Sequence, residues 1–329
     1  MKVNYHKGIE LPGHELWLDP RGSRPLAFVS HAHSDHLGRH KEVIASAGTM
    51  RLMRERLGGG KRVLHTVSFR ERFSLPHRPG LEMEILPAGH IFGSAQIYLE
   101  SGTSSLLYTG DFKMRPGLSS EALEWRNAET LVMETTFGKP YYRMPPTEEV
   151  IAQIVAFCRG TLEEGGVPVL LAYSLGKAQE AICALLAAGL TPMLHHTVFK
   201  MTEIYREMKE GFPGGYLPFG AEGGLEGRVF ICPPPVARTS LVRKIAKHRV
   251  AVLTGWAVDP RTKYRYGVDA AFALSDHADY DELLRYVELV QPKRVLTLHG
   301  FAAAFACDLR ARGVEAWAIS EENQLEFAL

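Results

Sequence analysis

The chain has 329 residues, 38 of them Lys or Arg and 37 Asp or Glu, for a formal net charge of +1. So balanced a surface excludes binding to a polyanion by overall charge, and any nucleic-acid site must be a local patch. With 46% hydrophobic residues and no apolar run of the roughly eighteen residues a membrane span needs, the composition is that of a globular protein, and its length suggests two domains. Met1-Lys2-Val3-Asn4-Tyr5-His6 offers no apolar signal-peptide core. Cys158, Cys183, Cys232 and Cys307 are widely separated, without a Cys-x-x-Cys pair, so they read as buried reduced thiols. A cytoplasmic location is the expectation.

In chain order, the first chemical signal is Asp19, closing the apolar Leu16-Trp17-Leu18. An Asp-Pro turn explains it equally well. Next, Pro25-Leu26-Ala27-Phe28-Val29 runs into Ser30-His31-Ala32-His33-Ser34-Asp35-His36. Three imidazoles and a carboxylate so close together repel on protonation and resist burial, unless a cation holds them. His31 and His33 can share one ion while Asp35 and His36 reach a second nearby, as two-metal hydrolases require. His90 follows the apolar stretch 83–86, and a predicted hairpin (95–100, then 104–108) leads through Gly110 to Asp111. A carboxylate at Asp111 suits a bridging position, since each oxygen can bind one cation. Leu131-Val132-Met133 ends in Glu134.

A Pro-rich joint, residues 139–147, then introduces a helix in which Val150, Ile151, Ile154, Val155 and Cys158 recur at helical spacing, with Thr147 as its expected N-cap. A buried strand at 167–172 and a helix at 177–188 continue a βα alternation that reads as a small α/β domain. Residues 211–227 read as an irregular Gly/Pro-rich surface tract. Arg238, Arg243, Lys244, Lys247, His248 and Arg249 accompany Leu241, Val242 and Ile245, the pattern of a solvated helix face or of a phosphate-binding patch. Arg261, Lys263 and Arg265 interleave with Tyr264 and Tyr266, where cations would meet phosphates and rings stack on unpaired bases. Ser174 and Lys177 at a helix start offer a phosphate site or a plain Ser cap. Leu283, Leu284, Val287 and Val290 form a core helical stripe before a strand at 294–298 that exits into His299.

The order Asp19, His31-x-His33-x-Asp35-His36, His90, Asp111 resembles the metal motifs of the metallo-β-lactamase fold. Glu134, Ser275-Asp276-His277-Ala278-Asp279 and Leu298-His299-Gly300 resemble motifs A, B and C of its β-CASP nucleases, and Ser174-Leu175-Gly176-Lys177-Ala178-Gln179-Glu180 is similar to a helix start of their cap domain. Leu253-Thr254-Gly255-Trp256 and the segment from Tyr264 to Phe272 look most like the bacterial DNA-ligase-associated exonucleases. The resemblance implies a four-layer αββα sandwich (residues 1–139 and 268–329) with an inserted α/β β-CASP cap (140–267).

It further implies two divalent ions, zinc or manganese, one held by His31, His33, His90 and Asp111 and the other by Asp35, His36, Asp111 and His299, with a hydroxide between them attacking a phosphodiester. Asp19 would orient a ligand or the water, and His277, oriented by Glu134, would protonate the leaving oxygen. Which of His277 and His299 is ligand and which acid stays open from sequence. DNA is the implied substrate, cut from a strand end in repair to leave a 5′-phosphate and a 3′-hydroxyl, with a DNA ligase and a helicase as associates. An RNA-processing enzyme, a small-molecule metallo-hydrolase and an inactive nucleic-acid scaffold are the alternatives. A cap of about a full domain's size speaks against the second, and the complete donor set against the third.

Overall fold

The computed structural model describes residues 1–319. The described residues form two compact units: one of Met1–Pro116, Ser120–Arg143 and residues 277–319, the other of Gly117–Ser119 and Met144–Asp276.

Two sheets make the centre of the first unit. One has six strands in chain order, Asn4–Tyr5, Ile9–Leu11, Leu16–Leu18, Leu26–Phe28, Glu42–Ser46 and Val63–Val67. The other runs Glu315–Ala318, Arg294–Leu298, Thr130–Glu134, Ser104–Tyr108, Ala95–Ser101, Glu82–Pro87 and Arg72–Phe73 across its width. Side-chain alternation explains how they layer. Leu106, Tyr108 and Val132 point to one face, where they pack with Ile9, Leu16, Phe28 and Ile44 of the six-stranded sheet. Their neighbours Leu107, Leu131 and Met133 point the other way, onto Leu283, Tyr286 and Val290 of the helix Tyr280–Val290 and Phe305 and Leu309 of the helix Ala302–Ala311. On the outer face of the first sheet, Val43 and Ala45 meet Met50 and Met53 of the helix Ala47–Leu57. The result is a four-layer αββα sandwich.

The second unit has a six-stranded parallel sheet in the order Leu217–Pro218, Pro192–Leu194, Val229–Cys232, Val167–Leu171, His248–Leu253, Ala270–Phe272. Val169, Leu171, Phe230, Cys232 and Val252 fill its core, and the helices Thr147–Glu163, Lys177–Ala187 and His196–Met208 connect strands in the βα alternation the sequence suggests. Because Ala270–Phe272 pairs with His248–Leu253, the unit continues to Asp276, past residue 267 where the sequence reading ends the insertion.

Several local expectations are corrected. Thr147 is the first helical residue, not the cap: Pro146 holds the cap position with no side-chain hydrogen bond, and Glu148 and Glu149 compensate the exposed N–H groups of the first turn. Ser174 is not a cap either, since Gly176 precedes the helix and its N–H donates to Gln179 Oε1 at 2.7 Å. The 211–227 tract contributes the edge strand Leu217–Pro218. The basic segment around Leu241 is helical only over Ser240–Arg243, and Arg249 lies in a strand. Cys158, Cys183 and Cys232 are buried, but Cys307 is exposed.

Candidate metal centre

The donors of the first unit sit where strands end and their loops are stitched together. Beyond Leu26–Phe28, the Val29 N–H donates to Ile44 O (3.0 Å) and the Ala95 N–H to Ser30 O (2.8 Å), which fixes the backbone immediately before His31. Gly110, with φ +56°, brings the Asp111 loop against Ser30: a Cβ there would lie 2.6 Å from Ser30 Cβ. Gly300 (φ +55°) does the same for the His299 loop, since its Cβ would lie 2.4 Å from Thr136 Cα. Only glycine satisfies both the backbone conformation and the close approach at these points.

His33 Nδ1 lies 3.1 Å from both His31 Nε2 and His90 Nε2. Asp111 Oδ2 is 3.6 Å from His31 Nε2, 3.9 Å from His90 Nε2 and 3.4 Å from His36 Nε2. Donor atoms on a tetrahedral ion bound at about 2.0–2.1 Å lie about 3.3 Å apart, so the spacing and chemistry of His31, His33, His90 and Asp111 fit a divalent metal. A second group, His36, Asp111 and His299, has ligand atoms within 4.8 Å of one another, and Asp111 belongs to both. Asp35 stands apart from these groups: its side chain is 63% exposed, with Oδ2 3.7 Å from His36 Nε2.

The electrostatics favour added positive charge. Burial, reinforced by His36 and His90, holds His31 well below the usual histidine range despite Asp111, and burial lowers His299 as well. Both shifts favour the neutral ring, the form a metal ligand takes. Burial opposes charge on Asp111 and His36 too, but their attraction outweighs it. His36 keeps Asp111 well below the carboxylate range, while Asp111 and Asp19 lift His36 well above the histidine range. The same carboxylates would stabilise a cation in place of that proton.

Asp19 is the hub behind the donors. It accepts from the Ser30 N–H (2.7 Å), Tyr108 OH (2.8 Å) and the Ser30 hydroxyl, and pairs with His36 Nδ1 at 2.9 Å. With Nδ1 so engaged, His36 turns Nε2 to Asp111. Glu134 plays the corresponding part for His277. Fully buried, its Oε1 lies 2.8 Å from His277 Nδ1 and accepts from the Phe112 N–H at 2.9 Å, while Oε2 accepts from the Thr136 hydroxyl. Asp111, Glu134 and His277 also converge within 4.8 Å, and the His277 and His90 rings are 4.7 Å apart. Ser30, Tyr108 and Thr136 escape the sequence reading. Only Ser30, inside the histidine motif, carried a local signal.

In the second unit the nucleic-acid candidates diverge. Tyr264 is 76% exposed and Tyr266 partly so, on the short helix Thr262–Tyr266. Arg265 pairs with Asp259 at 2.5 Å, and Arg261 with the same carboxylate at 3.1 Å. Ser174 is half-buried. Lys177 corrects the reading of a phosphate-binding ammonium, for it is buried and paired with Asp276, so its charge is already compensated.

An αββα sandwich with two donor groups sharing a carboxylate at its strand ends defines the class of metallo-β-lactamase-fold proteins. A family model described as "Zn-dependent metallo-hydrolase RNA specificity domain" matches residues 268–318. The chain is 51% identical over 328 residues to a protein named "Probable DNA ligase" from Opitutus terrae, covering 99% of this chain and 32% of that one. It is 23% identical over 344 residues to an "RNase J-like protein" of Methanocaldococcus jannaschii, covering 83% and 80% of the two chains. Over 290 residues it is 28% identical to "Transcription termination factor FttA" of Pyrococcus abyssi, covering 68% and 44%. The chain thus spans about a third of the first relative and under half of the third. The chain is thus similar to the β-CASP proteins of the metallo-β-lactamase fold. Among the described residues, no helix is long and apolar enough to cross a membrane.

Proposed function

We propose that the protein is a metal-dependent nuclease that hydrolyses DNA phosphodiester bonds from a strand end, leaving a 5′-phosphate and a 3′-hydroxyl, in repair alongside a DNA ligase and a helicase in the cytoplasm. The observation that carries this reading is the convergence of two donor groups on Asp111 beside the hydrogen-bonded Glu134 and His277. Similarity over nearly the whole chain to a protein named as a DNA ligase supports DNA as the polymer.

His31, His33, His90 and Asp111 would hold one divalent ion, and His36, Asp111 and His299 the other, with Asp35 joining them from the exposed rim. Zinc or manganese bound there supplies Lewis acidity to a phosphoryl oxygen and lowers the pKa of an attacking water. Asp19 keeps His36 in the tautomer that presents Nε2. Glu134 does the same for His277, whose ring donates a proton to the departing 3′ oxygen, a group that leaves poorly as an alkoxide. This assigns His299 as the ligand and His277 as the acid. Displacement is direct, with no covalent enzyme intermediate. In the second unit, Tyr264 and Tyr266 stack on unpaired bases, and Arg265 and Ser174 meet the backbone.

RNA is the second reading, favoured by the matched family's description and the RNase J-like relative. End-labelled single-stranded DNA and RNA of one sequence, incubated with zinc- or manganese-loaded protein, decide between them. Mononucleotide release from DNA that is lost in Asp111→Asn and His277→Ala supports the proposal. Cleavage confined to RNA would replace it with the second reading, and cleavage of neither would refute both.

A further inference from the structure

We propose that Arg115 is a positioning residue for His277, holding the backbone of the acid while Glu134 holds its ring; the assignment rests on the nuclease reading above. The segment that leaves Asp111 reaches His277 twice. Phe112 accepts at its carbonyl from the Ala278 N–H (2.7 Å) and donates its own N–H to Glu134 Oε1 (2.9 Å). Three residues on, one Arg115 guanidinium nitrogen donates to the carbonyl oxygen of His277 itself at 3.1 Å. The other lies 3.2 Å from Asp279 Oδ2 and 2.9 Å from Glu282 Oε2, and the Arg115 N–H donates to Glu282 Oε1 at 2.9 Å.

Helix capping does not account for this arrangement. Asp279 Oδ1 already accepts from the Glu282 N–H, and Glu282 Oε2 from the Asp279 N–H, each at 3.0 Å, a reciprocal box at the start of the helix Tyr280–Val290, whose first N–H donates to Tyr142 O at 3.0 Å. The bond to His277 O adds nothing to that helix. It ties down a residue three positions before the helix begins. The arrangement also uses what is particular to guanidinium, a flat fork whose donors address several acceptors in fixed directions, where an ammonium would act as a point charge. With its side chain only 20% exposed, Arg115 is shielded enough for these bonds to restrict motion. His277 is thereby anchored at its main chain by Arg115 and at Nδ1 by Glu134, and loosening either anchor lets the ring drift from the leaving oxygen.

The test compares wild type, Arg115→Gln and Arg115→Lys in the full chain on two substrates. On single-stranded DNA, whose leaving alkoxide needs a proton, kcat falls about 10–100-fold in Arg115→Gln and less in Arg115→Lys, with KM and bound metal unchanged. On thymidine 5′-p-nitrophenyl phosphate, whose phenolate leaves without one, turnover stays within about twofold. Equal losses on both substrates, or no loss on DNA, would overturn the assignment while leaving the nuclease reading intact. If Arg115→Gln does not fold, Arg115→Lys carries the same comparison. A wild type that turns over the activated ester but neither DNA nor RNA overturns the nuclease reading and this inference with it.

Discussion

Asp19 accepts hydrogen bonds from Ser30 and Tyr108 and orients His36, all from a left-handed backbone (φ +44°). Outer carboxylates of this kind raise the basicity of the ligand they hold and fix its ring. Asp19→Asn keeps the shape but removes the charge, and should weaken metal retention about 10–100-fold, read as metal content after dialysis against a graded chelator. His40 tests a different property. Buried, it accepts from the Arg24 N–H at Nδ1 (3.2 Å), and burial, with Asp19 opposing and Arg24 and Arg62 assisting, pushes it down to about 4 from 6.5. The unfolded chain therefore binds the extra proton first, so the stability His40 contributes is complete above pH 6.5 and is lost as pH falls toward 4. The Tm difference between wild type and His40→Gln should shrink across that window; a constant difference would refute it. Contacts such as Tyr108 to Asp19, 89 residues apart, or Arg115 to His277, 162 apart, were illegible in the sequence, because nothing local marks a pairing that only the fold creates.

Ends of elements carry the chemistry. Each donor follows an apolar run whose periodicity is readable, which is why His31, His90, Asp111, Glu134 and His299 stood out. Caps were harder to read. Thr147 and Ser174 have the right chemistry for caps, but the choice depends on backbone angles that the neighbouring Pro146 and Gly176 take instead. The two tight loop contacts make the element-scale prediction. Gly110→Ala adds a methyl 2.6 Å from Ser30 Cβ at a left-handed φ, for an expected loss of about 2–4 kcal/mol. Urea unfolding of metal-free protein measures it, and metal stoichiometry should fall in the same variant.

At the scale of the molecule, a net charge of +1 leaves any nucleic-acid affinity to local contacts. Tyr264 is the most exposed aromatic of the second unit, and a stacked base is worth about 1–3 kcal/mol. Tyr264→Ala should therefore weaken single-stranded DNA binding about 10-fold or more with Tm unchanged; equal affinity by fluorescence anisotropy would remove it from the interface. The alternation of strands and helices and the return of the chain to the first sandwich were readable from apolar spacing and turn residues. The neutralisation of Lys177 by Asp276, 99 residues later in the chain, was not. A lysine beside a helix start looks the same in sequence whether its charge faces a ligand or a carboxylate.

The most direct test of the account is a titration of metal-free protein with manganese or zinc, following bound metal and single-stranded DNA cleavage together. Activity should rise with metal occupancy, reach its maximum at about two ions per chain as a shared carboxylate requires, and be absent in Asp111→Asn. Cleavage that persists in excess chelator, or a protein that fills both sites and leaves DNA intact, would contradict it.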